Sequence, residues 1–173
     1  RFIVYPVTGY TMPVCPDIKC SPWFHVLVTG LMKYFGGIQR EILCTDDLSK
    51  VYQGTMIEHL VGQELLAFQH QAMSALHFWT REKKTSVAEV DFVFPFEDKL
   101  IPIEVKSGSE GHLRSLLLFL EDAPHDIGVR FYSGKFSTMK ARTPGGKEFR
   151  LLNIPYYLVT QIESYLKWNE FSQ

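Results

Sequence analysis

The sequence predicts an α/β domain: a mixed central sheet flanked by helices. Three observations carry this. Residues 88–105 alternate apolar and polar with a period of two, which marks strands with one buried face. Ile57, Leu60, Val61, Leu65 and Phe68 recur at helical spacing. The order of such segments interleaves helices with strands, as layered α/β domains do.

Length and composition fit one domain. The chain has 173 residues, 46% hydrophobic and 21% charged, enough apolar surface for a core and ordinary for a soluble globule. Its formal net charge of −1 does not mark a nucleic-acid binder, although overall charge hides local distribution. No apolar run approaches the ~18 residues that cross a bilayer, so no membrane partner is expected. The first residues lack a secretory layout and the chain does not begin with Met, so it reads as a piece of a longer protein. Cys15, Cys20 and Cys44 make no even framework and no zinc spacing; free thiols in a cytoplasmic protein are expected.

In chain order, Pro6, Pro13, Pro16 and Pro22 exclude a long helix at the start. Residues 1–44 are read as an extended arm, linker and short helix, and 45–173 as the main domain. Within 1–44, Trp23–Val28 suits a short strand, and Gly36-Gly37 would end a helix begun near Gly30. Thr45-Asp46-Asp47 suits a helix N-cap. A helix is predicted over Tyr52–Phe68, with Glu58 and His59 flanking its stripe. His59 and His112 read as surface or partner histidines. Leu76–Arg81 reads as a strand, Lys83–Ser86 as a turn, and Ala88–Gly108 as a hairpin. Leu113, Leu116, Leu117 and Leu120 mark a helix ending near Ala123-Pro124. Ile127–Tyr132 and Glu148–Asn153 read as strands, and Pro155 opens a final helix carrying Leu158, Ile162, Tyr165 and Leu166.

The hairpin carries the chemistry. Ala88, Val90, Phe92 and Phe94 on one arm and Ile101, Ile103 and Val105 on the other would share a buried face. The opposite face then carries Glu89, Asp91, Glu104 and Lys106. With Glu97-Asp98 as a two-residue turn, Asp91 lies opposite Glu104 and Glu89 opposite Lys106. That pair lacks the glycine such turns prefer. Opposed carboxylates sit close enough to repel unless a cation lies between them, and hard divalent ions take oxygen ligands. The competing reading is a solvated face with a Glu89–Lys106 cross-strand pair.

Residues 130–150 hold Arg130, Lys135, Lys140, Arg142, Lys147 and Arg150 against the one acid Glu148. Gly134, Pro144, Gly145 and Gly146 make the stretch read as a mobile loop between strands. Lys135, Lys140, Arg142 and Lys147 are the candidate nucleic-acid contacts; an ordinary solvated loop is the alternative. There is no Gly-x-x-x-x-Gly-Lys-Ser/Thr loop and no His-Glu-x-x-His.

Glu58, Asp91 and Glu104-Val105-Lys106 together resemble the PD-(D/E)xK nuclease superfamily, whose core is helix, three strands, helix, strand. The resemblance implies a restriction-endonuclease-like fold. It implies Asp91 and Glu104 as ligands of Mg²⁺ or Mn²⁺, Glu58 as an accessory ligand, and Lys106 as the group that positions or activates water. Val90 stands where the motif has Pro.

Val51–Leu66, Ala88–Phe92 and Pro102–Gly108 are similar to stretches of bacterial and archaeal AAA-type ATPases of unknown function. There an N-terminal ATPase and a winged-helix-like linker precede a nuclease-like domain. Val28-Thr29-Gly30 stands where these proteins often have Asp-Thr-Gly. The resemblance implies a nuclease-like domain acting on DNA, an N-terminal ATPase domain as partner, and possible homo-oligomers. The alternative is a non-catalytic domain that keeps the fold to bind nucleic acid or protein.

Overall fold

The computed structural model describes residues 4–11, 15–16, 23–26, 53–68, 76–83, 86–108 and 113–171. The expected helix after Gly30, the N-cap at 45–47, His112 and the free thiols of Cys20 and Cys44 lie outside these residues. Among the described residues, nine strands and three α-helices form an α/β structure. The strands are β1 (Val4–Thr11), β2 (Cys15–Pro16), β3 (Trp23–Val26), β4 (His77–Lys83), β5 (Ser86–Phe96), β6 (Lys99–Val105), β7 (Ile127–Tyr132), β8 (Ser137–Arg142) and β9 (Glu148–Pro155). The helices are α1 (Gln53–Phe68), α2 (Arg114–Asp122) and α3 (Ile162–Phe171), the last preceded by a 3-10 helix, Tyr156–Gln161. Pro155 closes β9 and so sits one residue before the helical turn it was expected to open.

The sheet order is β2-β1-β4-β5-β6-β7-β9-β8, with β3 paired to β1. β4, β6, β7 and β9 run one way, and β5 and β8 run against them. The stretch read as an extended arm supplies β1, which lies parallel to β4.

Two layers cover this mixed sheet. Val61 and Leu65 of α1 and Ile162 and Leu166 of α3 share one core with Phe92, Phe94, Ile101, Ile103, Val129, Phe131, Leu152 and Ile154. On the other side α2 packs Phe119 against Trp79, Ala88, Val90 and Val93, and Leu116 and Leu120 against Phe149 and Leu151. Gly128 lets α2 press this close: a Cβ there would lie 3.1 Å from Leu116 Cδ2. Lys147 ends α2 by donating its ammonium to the carbonyls of Leu120 and Ala123, groups that the last helical turn leaves unbonded.

The hairpin forms in the expected register. Phe92 opposes Ile103, Phe94 opposes Ile101 and Phe96 opposes Lys99, which leaves Glu97-Asp98 as a two-residue turn. Without a glycine the turn still forms, and Glu97 takes a φ of 52°. Such a left-handed residue costs about 1 kcal/mol, and the burial of the two arms outweighs it.

The expected single buried face is corrected. Ala88 and Val90 pack in the α2 layer, whereas Phe92, Phe94 and Phe96 pack in the α1/α3 layer. Pairing with β4 shifts by one residue between Trp79↔Val90 and His77↔Val93. One extra residue in β5 at this bulge turns the strand over. The expected basic loop is likewise corrected. Residues 137–142 form β8, antiparallel to β9 at the edge of the sheet.

His59 is not a surface residue. It is buried on α1 and its ring stacks on that of His25 from β3, with centroids 4.4 Å apart. Gly62, one turn on, makes room for this packing. A Cβ at that position would stand 2.7 Å from His25 Cε1 and 2.9 Å from Phe92 Cζ. Alanine normally gains about 1 kcal/mol over glycine inside a helix, but overpacking a core costs about 1–3 kcal/mol. We therefore expect Gly62→Ala to lower the thermal midpoint by a few degrees. A calorimetric scan showing a rise instead would mean that β3 does not press on α1.

Candidate functional site

The site forms where β5 and β6 part. Their ladder ends at Phe92↔Ile103, while β6 continues beside β7 through Val105↔Phe131. Asp91, at the β5 bulge, uses its carboxylate there: the Val105 amide donates to Asp91 Oδ2 at 2.7 Å. Glu104 comes from β6 and is buried, 6% exposed. Lys106 follows the strand, fixed by its own amide donating to the Phe131 carbonyl at 2.8 Å. The Lys106 ammonium donates to Glu104 Oε1. Glu104 Oε2 is buried with no hydrogen-bond partner. Glu58 approaches from α1, half-buried.

Electrostatics tie these groups together. Burial pushes the Glu58 carboxyl up to about 7, helped by the charges of Asp91, Glu89 and Glu104 and opposed by Lys106. Burial likewise pushes Glu104 up to about 7, with Asp91 adding to it and the Lys106 hydrogen bond and charge opposing it. Asp91 is raised by burial against the pull of the Val105 amide and Lys106. Glu89 is raised by burial and by Asp91. Four carboxyls thus share a partly dry place with one ammonium, and none is held well below its ordinary range.

Asp91, Glu104 and Lys106 are therefore neighbours, and Glu58 on α1 lies within range of their charges. The pairing within the set differs from the simplest competing reading: Lys106 takes Glu104, not Glu89. Glu89 is left as a fourth carboxyl, and its backbone amide donates to Ser115 Oγ at 3.2 Å, joining β5 to α2. Its place two residues before Asp91 on one strand was the available signal.

The chemistry of the donors suits a hard cation, since all are carboxylate oxygens and one buried oxygen lacks a partner. As they stand, no group of three or more His, Cys, Asp or Glu side chains among the described residues closes around one point. Asp91 Oδ2 is engaged by Val105 and Glu104 Oε1 by Lys106, which leaves the second oxygen of each carboxylate for an ion once the side chains converge.

The basic residues do not join the cluster. Lys140 and Arg142 lie on β8, separated from β6 by β7 and β9. Arg142 pairs with Glu148 at 2.5 Å. The Lys147 ammonium is spent on α2. Lys135 is exposed between β7 and β8, and its carbonyl accepts from the Tyr132 hydroxyl.

No helix among the described residues is long and apolar enough to cross a membrane. No curated protein gives a significant match. The family described as a domain of unknown function, DUF4143, matches residues 53–157. That span runs from the first turn of α1, through the bulge and the carboxylate cluster, to just past β9. The chain accordingly belongs to the DUF4143 family.

Proposed function

We propose that this is a nuclease-like domain with a restriction-endonuclease-like core of the PD-(D/E)xK type, hydrolysing DNA phosphodiester bonds with Mg²⁺ or Mn²⁺. One observation carries the reading: Asp91, Glu104 and Lys106 meet where β5 and β6 part, within range of the Glu58 charge, and Glu104 brings a buried oxygen without a partner. The order α1, β4, β5, β6, α2, β7 agrees with that core. The cluster lies at the carboxyl end of β6, the edge at which open α/β sheets bind ligands.

In this reading Asp91 and Glu104 hold the cation, and Glu58 assists from α1. The bound ion supplies positive charge against the scissile phosphate. Lys106 turns its ammonium from Glu104 toward the attacking water or the phosphate. Raised carboxyls make binding proton-linked, because the ligands must first ionise. The substrate's further phosphates reach Lys135, Lys140 and Arg142 only if the duplex spans the distance from β6 to β8. An ATPase preceding this domain would act as its partner in a cytoplasmic protein.

The second reading is a non-catalytic interaction domain. The carboxylates that do not close around one point favour it. Plasmid and duplex oligonucleotide incubated with Mg²⁺ or Mn²⁺ separate the two. We expect cleavage by the wild type and a loss of about 100-fold or more in Asp91→Ala and Lys106→Ala. No cleavage by the wild type, with gel-shift binding that survives both substitutions, establishes the second reading.

A further inference from the structure

β8 is the outermost strand, and its side chains are almost all exposed. One ladder joins it to β9; among the described residues its other edge pairs with no strand. Its backbone groups on that side are open to an added strand.

The face of β8 toward α3 is unusual in its charge. Lys140 lies directly opposite Arg150, and Arg142 follows Lys140 on the same face. Like charges directly opposed across a ladder destabilise it. Arg142 is answered by Glu148. Arg150 is answered by Asp126 at 3.8 Å and by the Asn169 carbonyl at 3.1 Å. Lys140 has no ion-pair partner among the described residues, although its charge is felt by Glu148. A cleft of about 640 Å³ opens here between the strand and α3. Asn169 lines it, 3% exposed, and its side-chain Nδ2 donor is buried with no partner. Trp168 stands at its rim, 49% exposed, with its ring edge-on to Phe136.

We propose that this edge binds an extended acidic peptide, which adds a strand to β8 and places a carboxylate on Lys140. Main-chain hydrogen bonds to an open edge give such binding its affinity, and side chains give it selectivity. Lys140 and the orphaned Asn169 donor select an acceptor-rich partner. A nucleic acid fits less well. The cleft sets three cations, Lys140, Arg142 and Arg150, against the carboxylates of Asp126 and Glu148, whereas a phosphate backbone needs several uncompensated cations. Nor does it use the open backbone edge. The same lysine that discourages two such edges from pairing with each other selects a partner of opposite sign. The carboxylate cluster at β6 does not enter this inference, but a peptide on β8 would take Lys140 and Arg142 from any nucleic-acid substrate.

The test uses the whole chain and three fluorescein-labelled probes: a peptide alternating Glu and Val, the same peptide with Lys for Glu, and a single-stranded oligonucleotide. Fluorescence anisotropy is expected to show the acidic peptide bound about tenfold more tightly than the basic one. Lys140→Glu reverses that preference. This variant removes the Lys140–Arg150 repulsion, so its thermal midpoint stays level or rises, and a loss of binding is not unfolding. Amide exchange over residues 137–142 slows when the acidic peptide is present. Equal binding of both peptides, no binding of the acidic peptide, unchanged exchange on β8, or binding of the oligonucleotide alone each overturns the proposal.

Discussion

Glu104→Gln is expected to stabilise the protein without metal at pH 8 and to do so much less at pH 5. The Glu104 carboxyl is raised to about 7, against an unfolded value near 4.5, so the folded chain holds its proton more tightly. Stability is therefore lost as pH rises from about 4.5 to about 7, and the deficit is complete above that. At about 1.4 kcal/mol per pKa unit, and discounting for coupling to its neighbours, the deficit is on the order of 2 kcal/mol. Glutamine keeps an acceptor for Lys106 and removes the charge. The gain should appear as about 4–8 °C in midpoint at pH 8 for a domain of this size. The same substitution should abolish a metal response: at pH 8, Mn²⁺ at about 100 times its dissociation constant would raise the wild-type midpoint by a similar amount, and the variant's not at all. Calorimetry at both pH values checks this. An equal difference between the two proteins at pH 5 and pH 8 would refute the charge argument, and equal Mn²⁺ shifts would refute the ligand role.

The second large effect lies on the acid side and comes from the stacked histidines. Burial, with the charge of His59 adding to it, holds His25 down to about 4, and burial lowers His59 as well. Both are neutral in the fold and take up protons in the unfolded chain below about 6.5. Stability is present above that pH and is lost as pH falls through the 6.5-to-4 window, by on the order of 2–3 kcal/mol for His25. Glu58 and Glu104 act in the opposite sense over an overlapping range, so the wild-type profile is flatter than either set alone would give. His25→Phe removes one of the proton-binding groups. Its absolute midpoint reflects repacking against Gly62, so the informative quantity is the slope of stability against pH between 6.5 and 4.5, which should fall by up to about 1.4 kcal/mol per pH unit, the share of one titrating group. Urea titrations across that range measure it. A slope as steep as the wild type's would mean that His25 titrates in water.

The sequence showed the hairpin because its two arms alternate cleanly and are of matched length; those two properties fix the register even with a poor turn pair. The bulge was hidden for a specific reason. Ala88, Val90, Phe92 and Phe94 keep the same parity on both sides of it, so the pattern reads as one face. Only Val93, apolar between two phenylalanines, betrayed a strand that is buried on both sides beyond residue 91. β8 was missed because an edge strand with two wet faces shows no alternation, and the glycines and Pro144 around it spoke for a loop. Asp91, Glu104 and Lys106 could be placed together from spacing and register, whereas Glu58 joined them only through the resemblance. The pairing of Lys106 with Glu104 in place of Glu89 and the use of Lys147 as a helix cap depend on side-chain reach, which spacing does not encode. Nothing local could have joined His25 to His59, since 33 positions lie between them in the chain.

The turnover in β5 constrains how this domain can vary in length. Ala88 and Val90 before it pack in one helical layer and Phe92, Phe94 and Phe96 after it in the other, while Val93 faces back to the first. Inserting or deleting a single position between 88 and 96 would eject the apolar groups of one layer into solvent and swing Asp91 away from the Val105 amide. The Glu97-Asp98 tip answers to neither layer, so tolerated indels in the hairpin should collect there, with the carboxylate cluster insulated from them by rigid strand.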